Sequence, residues 1–275
     1  MSMTDTKADL DLVEALLPAV VEAGAAILRI REAGLTIETK SDQSPVTSAD
    51  KAGEAIILSA LAQLAPDIPV LAEEQVAAGR IPDVESAFIA VDALDGTKDF
   101  IRGGPDFTVN VGLIRDGRPV AGIVGAPALS RVWIGAHAQG AWRIDPATGE
   151  RTEVTVRDPP DDGIDIVASR SHRTAETDEF IARFPGARIV AAGSSLKLVA
   201  VAEGGADLYP RLAPTSQWDT AAGHAVLTAA GGRVLDLDGN DLGYGPRNNG
   251  GPHPFLNPWF VATGGIDPFS GGRSQ

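Results

Sequence analysis

The first part of the chain has apolar residues at helical spacing in two stretches. From Leu10 to Ala33 they recur every three or four positions, and Gly34 is the expected stop. Ser48 is the expected N-cap of a second helix, whose apolar positions continue to Leu64. The pattern therefore predicts two N-terminal helices.

Further along, short apolar runs replace the helical spacing. Residues 70–72 and 88–91 have the continuous hydrophobicity of strands that are buried on both faces. Phe107 to Trp142 resembles an antiparallel meander, with a hairpin turn at Asp116-Gly117. The second half alternates, with strands predicted at 164–168, 188–191, 206–209, 233–235 and 259–262, and helices starting at 174, 194 and 219.

A polar stretch from Asp145 to Asp165 contains three prolines and separates the meander from the alternating region. It predicts a boundary between an N-terminal α+β half, residues 1–158, and a C-terminal α/β half, residues 159–275. The expected fold class is α/β, a layered protein in which helices and sheets alternate.

Composition removes several classes of chemistry. The 275 residues include no cysteine and four histidines, so thiolate nucleophiles, disulfides and histidine-rich metal sites are excluded or disfavoured. The net charge of −14 argues against a nucleic-acid polymer as partner. No apolar stretch is long enough for a membrane span, which predicts a cytoplasmic protein without integral membrane association. Any metal must be held mainly by oxygen.

The segment FIAVDALDGTKDF, residues 88–100, is the most informative part of the sequence. Asp92 follows a buried strand, and Asp95 lies three residues later in an Asp-Gly turn. Two carboxylates at this position suit a hard cation, and the N–H groups of Gly96 and Thr97 could donate to a phosphate oxygen. The structural alternative is that Asp92 ends a strand and Asp95 caps a turn.

Three further acidic features bear on this choice. Glu73 and Glu74 form a pair after another short apolar run, where unpaired burial would be costly. Asp219 begins an Ala-rich helix, and Asp50 lies in the first turn of the second helix. Each of these two aspartates could also serve only to compensate a helix dipole.

Taken together, the ordered motifs EE, D-x-L-D-G-T, W-D-x-A-A-G and A-G-G make the chain recognisable. Their order resembles the lithium-sensitive, magnesium-dependent phosphatase superfamily that includes the inositol monophosphatases, from about Lys40 to the last strand. Ala93 departs from the family pattern, which usually has proline there. Because the neighbouring residue supplies a backbone carbonyl, this change leaves the comparison intact.

The resemblance implies that the N-terminal half binds metal and that the C-terminal half completes the substrate pocket. It also implies a set of metal ligands and catalytic residues. Two or three Mg²⁺ ions would be held by the side chains or carbonyls of Glu73, Asp92, Leu94, Asp95 and Asp219. Glu73 and Thr97 would orient a metal-bound water for attack on phosphorus, and Asp50 would help to poise it. The substrate phosphate would also meet Asp95, Gly96, Thr97 and Asp219.

Details of the second half resemble the CysQ-like 3′(2′),5′-bisphosphate nucleotidases within this superfamily. The motif continues as D-G-T-K-D-F-I, and later segments supply residues that match nucleotide contacts, namely His172, Ser194, Lys197 and Arg211. A second phosphate needs its own cationic pocket. The alternative for each of these charged residues is an ordinary place on the surface or in a loop.

The function implied is hydrolysis of adenosine 3′,5′-bisphosphate to AMP and phosphate, a reaction that clears a by-product of sulfate activation and is inhibited by lithium. The expected partner is thus a small phosphorylated nucleotide, and a homodimer is possible. One alternative is an inositol-1-phosphate or sugar-phosphate phosphatase on the same fold. Another is a non-catalytic regulator that responds to nucleotide or metal.

Overall fold

A computed structural model describes residues 3–35, 37–39, 45–160, 163–169, 174–247, 251 and 253–269. The α-helices within these ranges are α1 (Met3–Ala15), α2 (Leu17–Ala33), α3 (Ser48–Leu64), α4 (Glu73–Ala77), α5 (Thr97–Ile101), α6 (Ala175–Ile181), α7 (Leu196–Ala202) and α8 (Gln217–Ala229). The strands are β1 (Ile37–Thr39), β2 (Pro45–Thr47), β3 (Val70–Ala72), β4 (Ala87–Asp95), β5 (Thr108–Arg115), β6 (Arg118–Ala126), β7 (Arg131–Ala136), β8 (Gly140–Ile144), β9 (Arg151–Glu153), β10 (Asp165–Ser169), β11 (Arg188–Ala192), β12 (Leu208–Arg211), β13 (Arg233–Asp236) and β14 (Phe260–Thr263).

The N-terminal helices differ from the prediction in two respects. The helical region begins at Met3 rather than Leu10, and it is interrupted at Leu16, so that α1 and α2 are separate. Pro18 accounts for the break, because proline lacks an N–H donor and is tolerated only in the first turn of a helix. The N-cap of α3 is Thr47, one residue before the predicted Ser48.

The predicted meander forms most of a seven-stranded sheet, with the order β3-β4-β5-β6-β7-β8-β9. β3 and β4 are parallel, and every later pair is antiparallel. The Asp116-Gly117 hairpin is confirmed, and both residues have the positive φ that a type I′ turn requires. Strand β9 was missed, because all three of its side chains are exposed and give no hydrophobic signal.

Alternate residues of this sheet enter two different cores. In β4, Ile89 and Val91 join a core with α1, α2 and α3, whereas Phe88 and Ala90 join a core with α7 and α8. Successive side chains of a strand point to opposite faces, so a strand buried on both faces is apolar throughout. The sheet therefore lies between two helical layers.

A row of glycines brings α8 unusually close to this sheet. Gly112, Gly122 and Gly135 are cross-strand neighbours in β5, β6 and β7. A Cβ atom at Gly112 would lie 2.7 Å from the backbone N of Ala222, and one at Gly135 would lie 2.7 Å from the Cα of Val226. Only glycine permits such an approach. The row thus allows a short distance between the sheet and α8, the helix that carries Asp219.

The five-stranded sheet, with the order β11-β10-β12-β14-β13, lies beyond α7 and α8. On one face, its residues Tyr209 and Phe260 belong to the same core as Phe88 of the seven-stranded sheet. On the other face, Leu208 of β12 packs in a core with Phe180 of α6. The layers therefore alternate helix, sheet, helix, sheet and helix, which confirms the α/β class. The predicted halves share a core, and the boundary at residue 158 stays a prediction. None of the helices in the described ranges is long and apolar enough to span a membrane.

Candidate active site

Three carboxylates from distant parts of the chain meet at one end of the seven-stranded sheet. Glu73, Asp92 and Asp219 each place an oxygen so that all three oxygens lie within 4.8 Å of one another. Asp92 is buried, and the other two residues are partly buried. The structure thus brings together three of the predicted ligands.

Adjacent elements place these three side chains. Glu73 is the first residue of α4, directly after β3, and Asp92 lies on the neighbouring parallel strand β4. Asp219 is the third residue of α8, where its Oδ2 accepts a hydrogen bond of 2.9 Å from the backbone N–H of Ser216. The sequence predicted that Asp219 begins this helix. The helix begins at Gln217, and Asp219 completes a capping box with Ser216.

The electrostatics of the cluster favour a bound cation. Burial, reinforced by the negative charges of Glu73, Asp95 and Asp219, raises the pKa of Asp92 well above its usual value. Burial and the charges of Asp95 and Glu73 likewise raise the pKa of Asp219. A divalent cation would relieve this repulsion, and an all-oxygen set of donors suits Mg²⁺. These residues therefore fit the ion that the motifs imply.

Asp95 lies beside this cluster and joins it to the C-terminal half. Strand β4 continues to Asp95 rather than ending at Asp92, with a register shift between the two aspartates. Asp95 Oδ2 accepts hydrogen bonds from Ser194 Oγ at 2.6 Å and Ser195 Oγ at 3.3 Å. Ser195 Oγ lies 2.7 Å from the carbonyl oxygen of Asp219, to which it can also donate. The two serines thus connect Asp95 with the start of α8.

Gly96 follows Asp95 with φ +92°, in the left-handed region that favours glycine. A Cβ atom here would lie 2.7 Å from the carbonyl oxygen of Asp106. Glycine is therefore required both for the turn and for the packing of the loop that contains Asp106. This tight turn leads directly into α5, which begins at Thr97.

Thr97 and Asp50 form a second part of the site. Thr97 Oγ1 lies 3.1 Å from Asp50 Oδ1 and 3.1 Å from the carbonyl oxygen of Leu94. Asp50 is buried, and its Oδ2 accepts from the backbone N–H and the hydroxyl of Thr47, each at 2.7 Å. Compensation of the helix dipole is therefore not the only role of Asp50, because the same carboxylate also contacts Thr97.

Lys197 is a buried cation next to these acids. It is 5% exposed, and its Nζ donates to the carbonyl oxygen of Ser194 at 2.5 Å. Burial lowers its pKa to about 8; Asp95 opposes this effect and Arg211 adds to it. The ammonium also lies 5.4 Å from the centre of the Tyr209 ring. The surface alternative for Lys197 is therefore wrong.

Arg211, at the end of β12, donates from Nη2 to the carbonyl oxygen of Pro214 at 2.7 Å. It is partly buried and close enough to Lys197 to depress its pKa. His172, the remaining predicted nucleotide contact, lies outside the described residues. The roles of all the predicted site residues stay predictions.

Two polar residues near the site carried no prediction. Ser195 bridges Asp95 and Asp219, although the sequence pointed only to its neighbour Ser194. Asp106 accepts from the backbone N–H of Gly193 at 3.0 Å, which fixes the loop before the two serines. Adjacency to Ser194 was a usable signal for Ser195, whereas nothing in the sequence near Asp106 indicates its contact 87 residues away.

Comparison with known proteins agrees with this geometry. The model of the inositol monophosphatase family matches residues 9–264, nearly the whole chain. The chain belongs to the inositol monophosphatase family. Enzymes of this family are magnesium-dependent phosphatases, so the match confirms the resemblance inferred from the motifs and the fold it implied.

Within the inositol monophosphatase family, the curated relatives include 3′(2′),5′-bisphosphate nucleotidases named CysQ. The protein from Salmonella typhimurium is 44% identical over 245 residues, which cover 88% of this chain and 95% of the relative. That from Escherichia coli K12 is 42% identical over 242 residues, 86% of this chain and 94% of the relative. A crystal structure of CysQ from Bacteroides thetaiotaomicron is 31% identical, with a TM-score of 0.76 and coverage of 96% and 98% of the two chains.

Proposed function

We propose that this protein is a magnesium-dependent phosphomonoesterase that hydrolyses adenosine 3′,5′-bisphosphate to AMP and phosphate. The observation that carries the proposal is the connection between a carboxylate cluster and a buried cation. Asp95, beside the cluster, accepts from Ser194 Oγ, and the carbonyl of the same serine accepts from Lys197. The 42–44% identity to proteins named as bisphosphate nucleotidases supports the same substrate.

The metal ligands in this proposal are the carboxylates of Glu73, Asp92, Asp95 and Asp219 and the carbonyl of Leu94, which would hold two or three Mg²⁺ ions. Carboxylate oxygens of Glu73, Asp92 and Asp219 lie within 4.8 Å of one another. When bound, Mg²⁺ lowers the pKa of a coordinated water and offsets charge on the phosphoryl oxygens. A covalent intermediate is unnecessary, and the chain has no cysteine that could form one.

Glu73 and Thr97 would orient the attacking water. The single hydroxyl proton of Thr97 is directed to Asp50 or to the Leu94 carbonyl, so its oxygen is left to accept a hydrogen bond from water. The water oxygen would form a bond to phosphorus while the bond from phosphorus to the ribose 3′ oxygen breaks. The water loses a proton as it attacks, and the leaving 3′ oxygen takes up one proton, so that the products are AMP with a free 3′ hydroxyl and inorganic phosphate. Asp50 would keep Thr97 in the orientation that this step needs.

The second phosphate of the substrate would lie near Lys197 and Arg211, with Ser194 and His172 as further contacts. Lys197 is costly to bury as a cation unless an anion compensates it. Among the residues that the structure describes, the ammonium has one hydrogen-bond acceptor, the carbonyl oxygen of Ser194. The nearby carboxylates of Asp95, Asp219 and Asp106 offset this cost only in part, since the pKa of Lys197 is still lowered to about 8. A 5′-phosphate would add negative charge, which is the physical reason to expect a bisphosphate rather than a simple monophosphate.

The test is a substrate panel with Mg²⁺ present and absent. Phosphate release is measured from adenosine 3′,5′-bisphosphate, inositol 1-phosphate and fructose 1,6-bisphosphate. We expect magnesium-dependent release with the highest kcat/KM for the nucleotide. A tenfold preference for inositol 1-phosphate would refute the substrate, and saturable nucleotide binding without turnover would instead indicate a non-catalytic regulator.

A further inference from the structure

Helix α4, which begins with Glu73, has no cap of its own. Ala72 occupies the N-cap position and offers no side-chain acceptor. The first N–H groups of any helix lack partners within the helix and need acceptors from elsewhere. Here the acceptor comes from another helix: Glu54 Oε2 of α3 accepts from the backbone N–H of Glu74 at 2.9 Å.

Glu54 makes a second bond to the same turn of α4. Its Oε1 accepts from Gln75 Nε2 at 3.1 Å, and Arg80 donates to Gln75 Oε1, which fixes the direction of the Gln75 amide. Glu54 is 4% exposed, so its carboxylate is held among these donors rather than solvated. A buried, charge-assisted pair of hydrogen bonds constrains the residue next to Glu73.

The same face of α3 also supports Thr97. Asp50, one turn before Glu54, accepts a hydrogen bond from Thr97, and residues four apart lie on one side of a helix. Both carboxylates are buried. Through Asp50 and Glu54, helix α3 thus contacts both α5, which begins with Thr97, and α4, which begins with Glu73.

We propose that Glu54 is a positioning residue, which acts through the backbone of Glu74 to hold the carboxylate of Glu73 in the metal cluster. The inference rests on the proposed function in taking Glu73 as a metal ligand. Glu54 itself meets neither the metal nor the substrate in this proposal. Residues that orient metal ligands typically contribute about 10- to 100-fold to metal affinity or activity.

The test begins with Glu54→Gln, a substitution that preserves shape but leaves a single acceptor. One of the two bonds to α4 is lost, because an amide N–H then faces the N–H of Glu74 or of Gln75. Mg²⁺ affinity is measured by calorimetry without substrate, and kcat and KM are measured with saturating Mg²⁺. We expect Mg²⁺ to bind about tenfold more weakly and kcat to fall, with KM for the nucleotide within twofold of wild type.

A rescue variant distinguishes a specific hydrogen bond from a general loss of charge. In Glu54→Gln combined with Gln75→Glu, the new amide donates to the new carboxylate, and its oxygen still accepts from Glu74. The Arg80 bond to residue 75 survives, since a carboxylate accepts from arginine as an amide oxygen does. We expect this double variant to regain most of the Mg²⁺ affinity.

Asp207→Asn is the matched control for stability. Asp207 is also buried and also accepts from a backbone N–H, that of Asp165 at 2.7 Å, but it lies directly before β12, in the C-terminal half. Its substitution should lower the melting temperature and leave Mg²⁺ affinity unchanged. If Glu54→Gln does not fold, Gln75→Ala removes the second bond alone and should weaken Mg²⁺ binding about threefold.

Two results would overturn the proposal. One is a folded Glu54→Gln, or the folded Gln75→Ala used in its place, with Mg²⁺ affinity and kcat within twofold of wild type. The other is a folded double variant that regains no Mg²⁺ affinity. Failure of the proposed function gives a different result, because it would appear in the wild-type protein as absent Mg²⁺ binding or as the wrong substrate preference.

Discussion

Lys197 offers the sharpest test of the second-phosphate pocket. Its pKa is lowered to about 8, chiefly by burial and also by the positive charge of Arg211, whereas the negative charge of Asp95 opposes both effects. The amine is therefore charged at neutral pH and loses its charge within a range where the protein can be assayed. Only the charged form attracts a phosphate, so the preference for a bisphosphate should weaken as pH rises.

The size of the effect follows from this pKa. With a pKa of about 8, roughly ten of every eleven molecules carry the charge at pH 7, and roughly one of eleven at pH 9. The kcat/KM for adenosine 3′,5′-bisphosphate should therefore fall about tenfold between these values relative to a substrate without the 5′-phosphate. Cations bound at Asp95 and Asp219 would move the fall to lower pH, because these acids are among the groups that raise the pKa of Lys197.

The assay compares kcat/KM for adenosine 3′,5′-bisphosphate and adenosine 3′-monophosphate from pH 6 to pH 9. The ratio of the two removes any titration that both substrates share, including that of the water and its metal ligands. In Lys197→Met the ratio should be low at pH 7 and constant with pH, chiefly through a higher KM for the bisphosphate. A ratio that stays constant with pH in the wild type, or that is unchanged by the substitution, would refute the assigned role.

Two further predictions concern the metal cluster and the stability of the second sheet. Asp95→Asn should reduce kcat at least about a hundredfold with an unchanged circular dichroism spectrum, and turnover within tenfold of wild type would contradict its role. Hydrogen bonds from Arg188 and Arg157 lower the pKa of Asp165 to about 2, below its usual value of 3.8. The stability that these bonds to the charged carboxylate contribute is therefore fully present above about pH 4 and is lost as pH falls through 2. Asp165→Asn should accordingly lower the free energy of unfolding by about 1 to 3 kcal/mol at pH 7. Melting curves of the two proteins should converge near pH 2, and parallel curves down to that pH would contradict the assignment.

Much of the fold was predictable because its core residues recur at regular, short spacings along the chain. The strands from β4 to β8 and the helices α3 and α8 have enough apolar residues to be recognised from spacing alone. Elements without that signal were missed. Strand β9 is fully exposed, and α4 has five residues, none of which is buried. Their positions are set by neighbouring strands and by Glu54, contacts that a local pattern cannot contain.

The acidic residues of the site were predictable for a different reason. Asp92 and Asp95 lie where a hydrophobic segment ends and Asp219 where one begins, and carboxylates at such places need either solvent or a cation. The order of the motifs then pointed to one family. Which residues support the acids was not predictable, because Ser195 and Glu54 act across 100 and 20 residues of sequence respectively. Only the folded chain brings these donors and acceptors together.

The contacts of Ser194 bear on how the two phosphate positions communicate. Its hydroxyl donates to Asp95, beside the metal cluster, and its carbonyl accepts from Lys197, in the proposed pocket for the second phosphate. Ser194 has φ +52°, a left-handed conformation that is unusual for serine and holds these two groups in fixed directions. A second phosphate that attracts Lys197 would therefore act on the residue that orients Asp95. On this reasoning, part of the preference for a bisphosphate should appear in kcat as well as in KM, since binding at one position changes the geometry at the other.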